Sequence, residues 1–118
     1  RGEQVPIVAQ TATIKDALLE ISQKGLGMTA VVDEDGNMAG VFTDGDLRRI
    51  LDQRYDIHSS LIAEVMTKNC ITAQAQQLAA EALQIMQQKK INGLIIIDAA
   101  GKPVGAMNMH DLLRAGVL

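Results

Sequence analysis

Apolar positions along the chain follow two alternating periods. Ile14, Ala17, Leu18 and Ile21 fall at helical spacing, and Gly25 and Gly27 punctuate the end of that stretch. Residues 28–32 then form a short apolar run that predicts a strand, residues 33–37 (Asp-Glu-Asp-Gly-Asn) predict a turn, and residues 39–42 predict a second strand that closes a hairpin. A second helix is predicted from Asp44 through Leu47, Ile50 and Leu51. The succession then returns: a helix over 78–89, a strand at 94–97, a turn at 98–102, a strand at 104–107 and a helix over 110–115. With short strands near 7–8 and 71–72, each half reads as β-α-β-β-α, an α/β (α+β) unit.

The two halves superpose at an offset of 65 residues. Asp33 meets Asp98, Gly36 meets Gly101, Gly40 meets Gly105, and Asp46-Leu47 meets Asp111-Leu112. Upstream, Ala17-Leu18 meets Ala82-Leu83 and Gln23-Lys24 meets Gln88-Lys89, with no gap between residues 16 and 49. Turn glycines, helix starts and apolar faces repeat in register, which identifies an internal duplication. The expected organisation is a first repeat at 1–54, a connector at 55–61 and a second repeat at 62–118. Met66 aligns with residue 1, so the counterpart of the lead-in Ile62 to Met66 would precede Arg1, and the chain reads as part of a longer protein. The run Leu94-Ile95-Ile96-Ile97 lacks the alternation of a strand with one wet face. It predicts a sheet covered on both sides, with the two units packed sheet to sheet about a pseudo-two-fold axis.

Composition narrows the chemistry. Hydrophobic residues make up 47% of the 118, but aromatics only 2%, so the core is aliphatic and a bound base would meet few aromatic faces. The net charge of −3 argues against a general nucleic-acid binder, which needs a basic face to neutralise phosphates. A single cysteine, Cys70, excludes an intrachain disulfide and fits a reducing, cytoplasmic setting, where it reads as a small buried apolar residue. No apolar run approaches the roughly 18 residues of a membrane span. His58 and His110 have no companions at metal-ligand spacing, and there is no nucleophile–base constellation and no Walker-type loop. No catalytic residue, metal or required cofactor is expected.

Two segments are specific enough to suggest a family. Gly40-Val41-Phe42-Thr43-Asp44-Gly45-Asp46-Leu47 resembles the Gly-apolar-x-Thr/Ser-x-x-Asp-apolar signature of cystathionine β-synthase (CBS) repeats. Gly105-Ala106-Met107-Asn108-Met109-His110-Asp111-Leu112 is its partner, and Val65-Met66-Thr67 looks like the usual lead-in of a CBS unit. Gly40 to Arg49 and the terminal Met109 to Leu118 resemble more closely the C-terminal CBS pair of bacterial arabinose-5-phosphate isomerases. That family joins a sugar-isomerase domain, which interconverts D-ribulose 5-phosphate and D-arabinose 5-phosphate for Kdo and lipopolysaccharide, to a CBS pair. The resemblance implies a non-catalytic regulatory module for this chain, with its own N-terminal isomerase domain and a second copy of itself as partners.

The resemblance also points to a ligand site. Thr43, at a strand-to-helix junction, could hold a phosphate through its hydroxyl and adjacent N–H groups, and Asp46 suits a ribose diol because a carboxylate only accepts hydrogen bonds. Thr43 with Asp46 three residues on is equally a capping box, and Asn108 with Asp111 repeats it. Asp44, Arg49, His110 and Arg114 flank those helix starts and could complement an anion, although arginine near a helix C-terminus is ordinary. Met28, Thr29, Asn92 and Gly93 precede the central strands and should face the inter-repeat cleft. The expected ligand is an adenine nucleotide (AMP or ATP) or CMP-Kdo. The rival expectation is an assembly module that holds the isomerase as a dimer or higher oligomer without any ligand.

Overall fold

The computed structural model describes residues 5–74, 76–77 and 79–109. The first unit runs β1 (Ile7–Ala9), α1 (Ile14–Lys24), β2 (Met28–Val32), β3 (Met38–Thr43) and α2 (Asp44–Ile50). The second runs β4 (Thr72–Gln74), α3 (Ala79–Lys89), β5 (Gly93–Ile97) and β6 (Pro103–Asn108). The helix expected over 110–115, and with it His110, Asp111 and Arg114, lies outside the described residues.

Local chemistry sets each boundary. Thr13 caps α1, its Oγ1 accepting from the Asp16 N–H at 3.2 Å, and Ile14, Ala17 and Ile21 are buried along one face. Both hairpins turn on an aspartate. Asp33 Oδ1 accepts from the N–H groups of Asp35 and Asn37 at 2.9 and 3.0 Å, while Asp98 Oδ1 accepts from Ala100 and Lys102, both at 2.9 Å. Gly36 and Gly101 take the positive φ, 85° and 86°, that these turns demand.

Strand pairing reproduces the 65-residue offset pair by pair. Ile7 pairs with Ala30 as Thr72 pairs with Ile95, and Met28 pairs with Thr43 as Gly93 pairs with Asn108. Each sheet is β-parallel then antiparallel, in the order β1-β2-β3 or β4-β5-β6, with an irregularity at the same place: Val31/Val32 and Ile96/Ile97. The expected β-α-β-β succession is therefore present in both halves.

The sheets are covered on both faces, as the unbroken apolar run predicts. Leu94 packs with Ala82, Leu83 and Met86 under α3, whereas its neighbour Ile95 packs with Met28 and Ala30 of the other sheet. In the first unit Val31 faces Ile14, Ala17, Ile21 and Phe42, which is fully buried. Burying such a side chain contributes about 1.5–3 kcal/mol. Lys102 Nζ donates to the Asp35 carbonyl at 2.8 Å and the Met38 N–H to the Gly101 carbonyl at 3.2 Å, so the two hairpin tips also touch.

The segment between the repeats sides with the first. Ile62 and Val65 are buried in the first unit's core, and the Ile62 N–H donates to the Ala12 carbonyl at 2.7 Å. Thr67 extends the first sheet by bridging to Val41, with N–H···O distances of 2.8 and 3.0 Å in the two directions.

Candidate functional site

The cleft between the repeats begins at a densely bonded carboxylate. Thr43 caps α2 with a full capping box: its Oγ1 accepts from the Asp46 N–H at 3.1 Å, and the Thr43 N–H donates to Asp46 Oδ2 at 2.9 Å. The Thr43 hydroxyl also donates to Oδ2 at 3.2 Å. The other oxygen, Oδ1, accepts from the Thr67 hydroxyl at 2.9 Å and from Arg49 Nη2. Asp46 is only 2% exposed, and four donors occupy its two oxygens. This resolves part of the ambiguity in the sequence: the capping box forms, and a diol could reach Asp46 only by displacing Thr67 or Arg49. Arg49 is the more easily displaced, because its side chain is 63% exposed.

Gly40 explains why the lead-in can lie so close. A Cβ there would come within 2.6 Å of the Thr67 carbonyl and 2.9 Å of Met66 Sδ, distances that side-chain carbons essentially never adopt. Among the described residues, its twin Gly105 meets nothing nearer than Ile96 Cβ at 3.5 Å.

Beyond the cap lies a cavity of about 780 Å³ lined by both repeats, within the usual size of small-molecule sites of about 300–1,000 Å³. Of the residues picked out in the sequence, Met28, Thr43, Asp44, Asp46, Asn92, Gly93 and Asn108 all line it. Thr29 does not: it is fully buried, and its hydroxyl donates to the Ala30 carbonyl at 3.1 Å. Arg49 turns to Asp46, and its neighbour Arg48 takes the place at the wall. Met28 crosses the floor onto Gly93, where a Cβ would lie 2.2 Å from Met28 Cε. Asp44 stands at the rim, 3.1 Å from where a Gly27 Cβ would lie, and its carboxylate makes no hydrogen bond to a described residue.

Several lining residues were not singled out from the sequence as ligand contacts: Thr67, Asn69, Cys70 and Lys90. Cys70, expected to be buried, is only partly buried and lines the cleft. Burial still pushes its thiol up from the ordinary value, so at neutral pH it stays protonated rather than nucleophilic. Among the described residues no group of three His, Cys, Asp or Glu could hold a metal ion. No helix among them is long and apolar enough to cross a membrane. The cleft offers aliphatic walls, polar groups and a cation from each of the two repeats.

A duplicated β-α-β-β unit whose sequence carries this signature twice, at 40–47 and 105–112, defines a class. The CBS domain pattern matches residues 3–53 and 62–118, one copy per repeat, and the chain belongs to the CBS domain family as a tandem pair. More particularly, it is 54% identical over 117 residues to the arabinose 5-phosphate isomerase KdsD of Pseudomonas aeruginosa, which it matches over 99% of its own length and 36% of the relative's. The chain thus spans about a third of that relative and corresponds to its CBS part, a regulatory rather than catalytic portion. The fold is likewise that of solved CBS pairs. The pair of protein MJ0100, in complex with 5′-methylthioadenosine and S-adenosyl-L-methionine, has a TM-score of 0.81 at 26% identity, covering 95% of this chain and 88% of that one. The CBS protein PAE2072 of Pyrobaculum aerophilum, complexed with AMP, has a TM-score of 0.82 at 20% identity, covering 97% and 92%.

Proposed function

We propose that this CBS pair is the nucleotide-sensing regulatory module of a cytoplasmic arabinose-5-phosphate isomerase. The observation that carries the reading is the inter-repeat cavity, to which each repeat contributes walls, polar groups and a cation. A ligand seated there touches both repeats at once. It stabilises one relative arrangement of them and so biases an attached isomerase domain, provided that it binds the two arrangements unequally. Adenosine compounds bound to related pairs support a nucleotide as ligand. AMP, ATP and CMP-Kdo are the candidates, the last because it is the activated product of the pathway that such an isomerase feeds. Aliphatic side chains such as Met28, Ile71 and Ile91 would sandwich the base in place of aromatic rings.

Calorimetric titration of the 118-residue chain with AMP, ATP, CMP and CMP-Kdo is expected to give a saturable signal with at least one of them, accompanied by a rise in Tm. Silence of all four at millimolar concentration would overturn the reading. A second reading, the assembly module, is favoured by Leu19 on α1 and Leu51 at the end of α2, both largely exposed. A tight dimer in sedimentation without any nucleotide response would favour it instead.

A further inference from the structure

The exits of α1 and α3 are symmetry mates, yet they are built from different residues. Helix α1 ends at Gly25, whose φ of 71° is left-handed and whose N–H donates to the Ile21 carbonyl at 2.9 Å. At the same place after α3 stands Lys90, with φ 57°, the one non-glycine residue of positive φ among the described residues. The Ile91 N–H closes this second exit on the Met86 carbonyl at 3.0 Å. An L side chain in that backbone conformation is strained, and glycine would relieve the strain at no steric cost.

What a lysine adds there is charge on the cleft. Lys90 lines the cavity from the second repeat and Arg48 lines it from the first. Neither side chain makes a hydrogen bond or ion pair with a described residue. Arg49 balances Asp46, and among the described lining residues this leaves Arg48 and Lys90 with the carboxylate of Asp44. Position 25, the mate of Lys90, carries no charge and does not line the cavity.

We infer that Lys90 is the residue by which the cleft prefers an anionic ligand over its neutral counterpart, the strained backbone being retained for the sake of the ammonium group. This rests on the nucleotide-binding reading above. The test compares the wild-type 118-residue chain with Lys90→Gly and Lys90→Gln, titrating AMP against adenosine and CMP against cytidine, and recording Tm without ligand. Wild type is expected to favour the phosphorylated member of a pair, and either substitution to weaken that member about tenfold while leaving the nucleoside unchanged. Lys90→Gly is also expected to raise Tm, whereas Lys90→Gln, which keeps the left-handed strain, is not. Undiminished phosphate preference in both variants would overturn the inference while leaving the nucleotide-binding reading intact. So would equal loss of nucleotide and nucleoside, or a Lys90→Gly chain no more stable than wild type. If wild type binds none of the four compounds, both the reading and the inference fail.

Discussion

The outer strands β3 and β6 occupy equivalent places in two sheets whose pairing agrees residue for residue, but among the described residues only β3 has a further segment bridged to it. At β3, Gly40 admits the Met66-Thr67 segment to within van der Waals contact, and Thr67 then reaches the carboxylate of Asp46. At β6, the nearest described atom to a Gly105 Cβ is Ile96 Cβ, at 3.5 Å. The hairpin turns, by contrast, have kept the same aspartate bonded in the same way in both copies. Duplication thus preserved the strand pairing and the turns, and in the first repeat the helix start is fastened by Thr67, from the lead-in to the second copy. Closely similar backbones do not imply equal sensitivity to substitution.

Gly40→Ala should show the largest effect. Its Cβ would strike a backbone carbonyl, which cannot swing aside, so a loss of about 2–3 kcal/mol in chemical denaturation is expected. Gly105→Ala should stay within about 1 kcal/mol of wild type and can even stabilise the strand. Equal losses would show that β6 is covered as tightly as β3 and would break the comparison.

Asp46→Ala comes next. It strands the Thr43 N–H and the Thr67 hydroxyl at a site that is almost wholly buried, and a loss of about 2 kcal/mol is expected by the same measurement. Thr67→Val removes one of those donors and should cost about half as much. An Asp46→Ala chain as stable as wild type would mean that the four-donor network does not fasten the first repeat.

The smallest effects sharpen the comparison from the conserved side. Asp33→Ala and Asp98→Ala each remove two hydrogen bonds of an exposed turn and should each cost about 1 kcal/mol. The two losses should agree within about 0.5 kcal/mol, measured by thermal or urea unfolding. A clear difference between them would extend the divergence to the turns.

Much of this architecture is legible in the sequence because it depends on local signals repeated twice. Asp33 and Gly36 announce a turn wherever they stand, and seeing Asp98 and Gly101 at the same offset removes the ambiguity of either copy alone. The site was harder to read because a strand sends successive side chains to opposite faces. Met28 and Thr29 are adjacent in sequence, so when Met28 faces the cleft Thr29 must turn away, and it is fully buried on the other side. Arg48 and Arg49 divide in a similar way around α2: Arg49, one turn beyond Asp46, closes back on it, and Arg48 points to the cavity. Thr67 is 21 residues from its partner Asp46, a contact that no local pattern encodes. Lys90 did leave a trace, since the 65-residue offset sets it against Gly25, a residue chosen for a left-handed turn.

The placement of Ile62, Val65 and Thr67 has a consequence for modularity. The stretch that was copied and the stretch that folds are out of phase. A cut at the boundary between the copies would remove two buried aliphatic side chains and the Thr67 bridge to β3 from the first half. The polypeptide is repeated as beads on a string, but the first bead is closed by residues that the sequence assigns to the second.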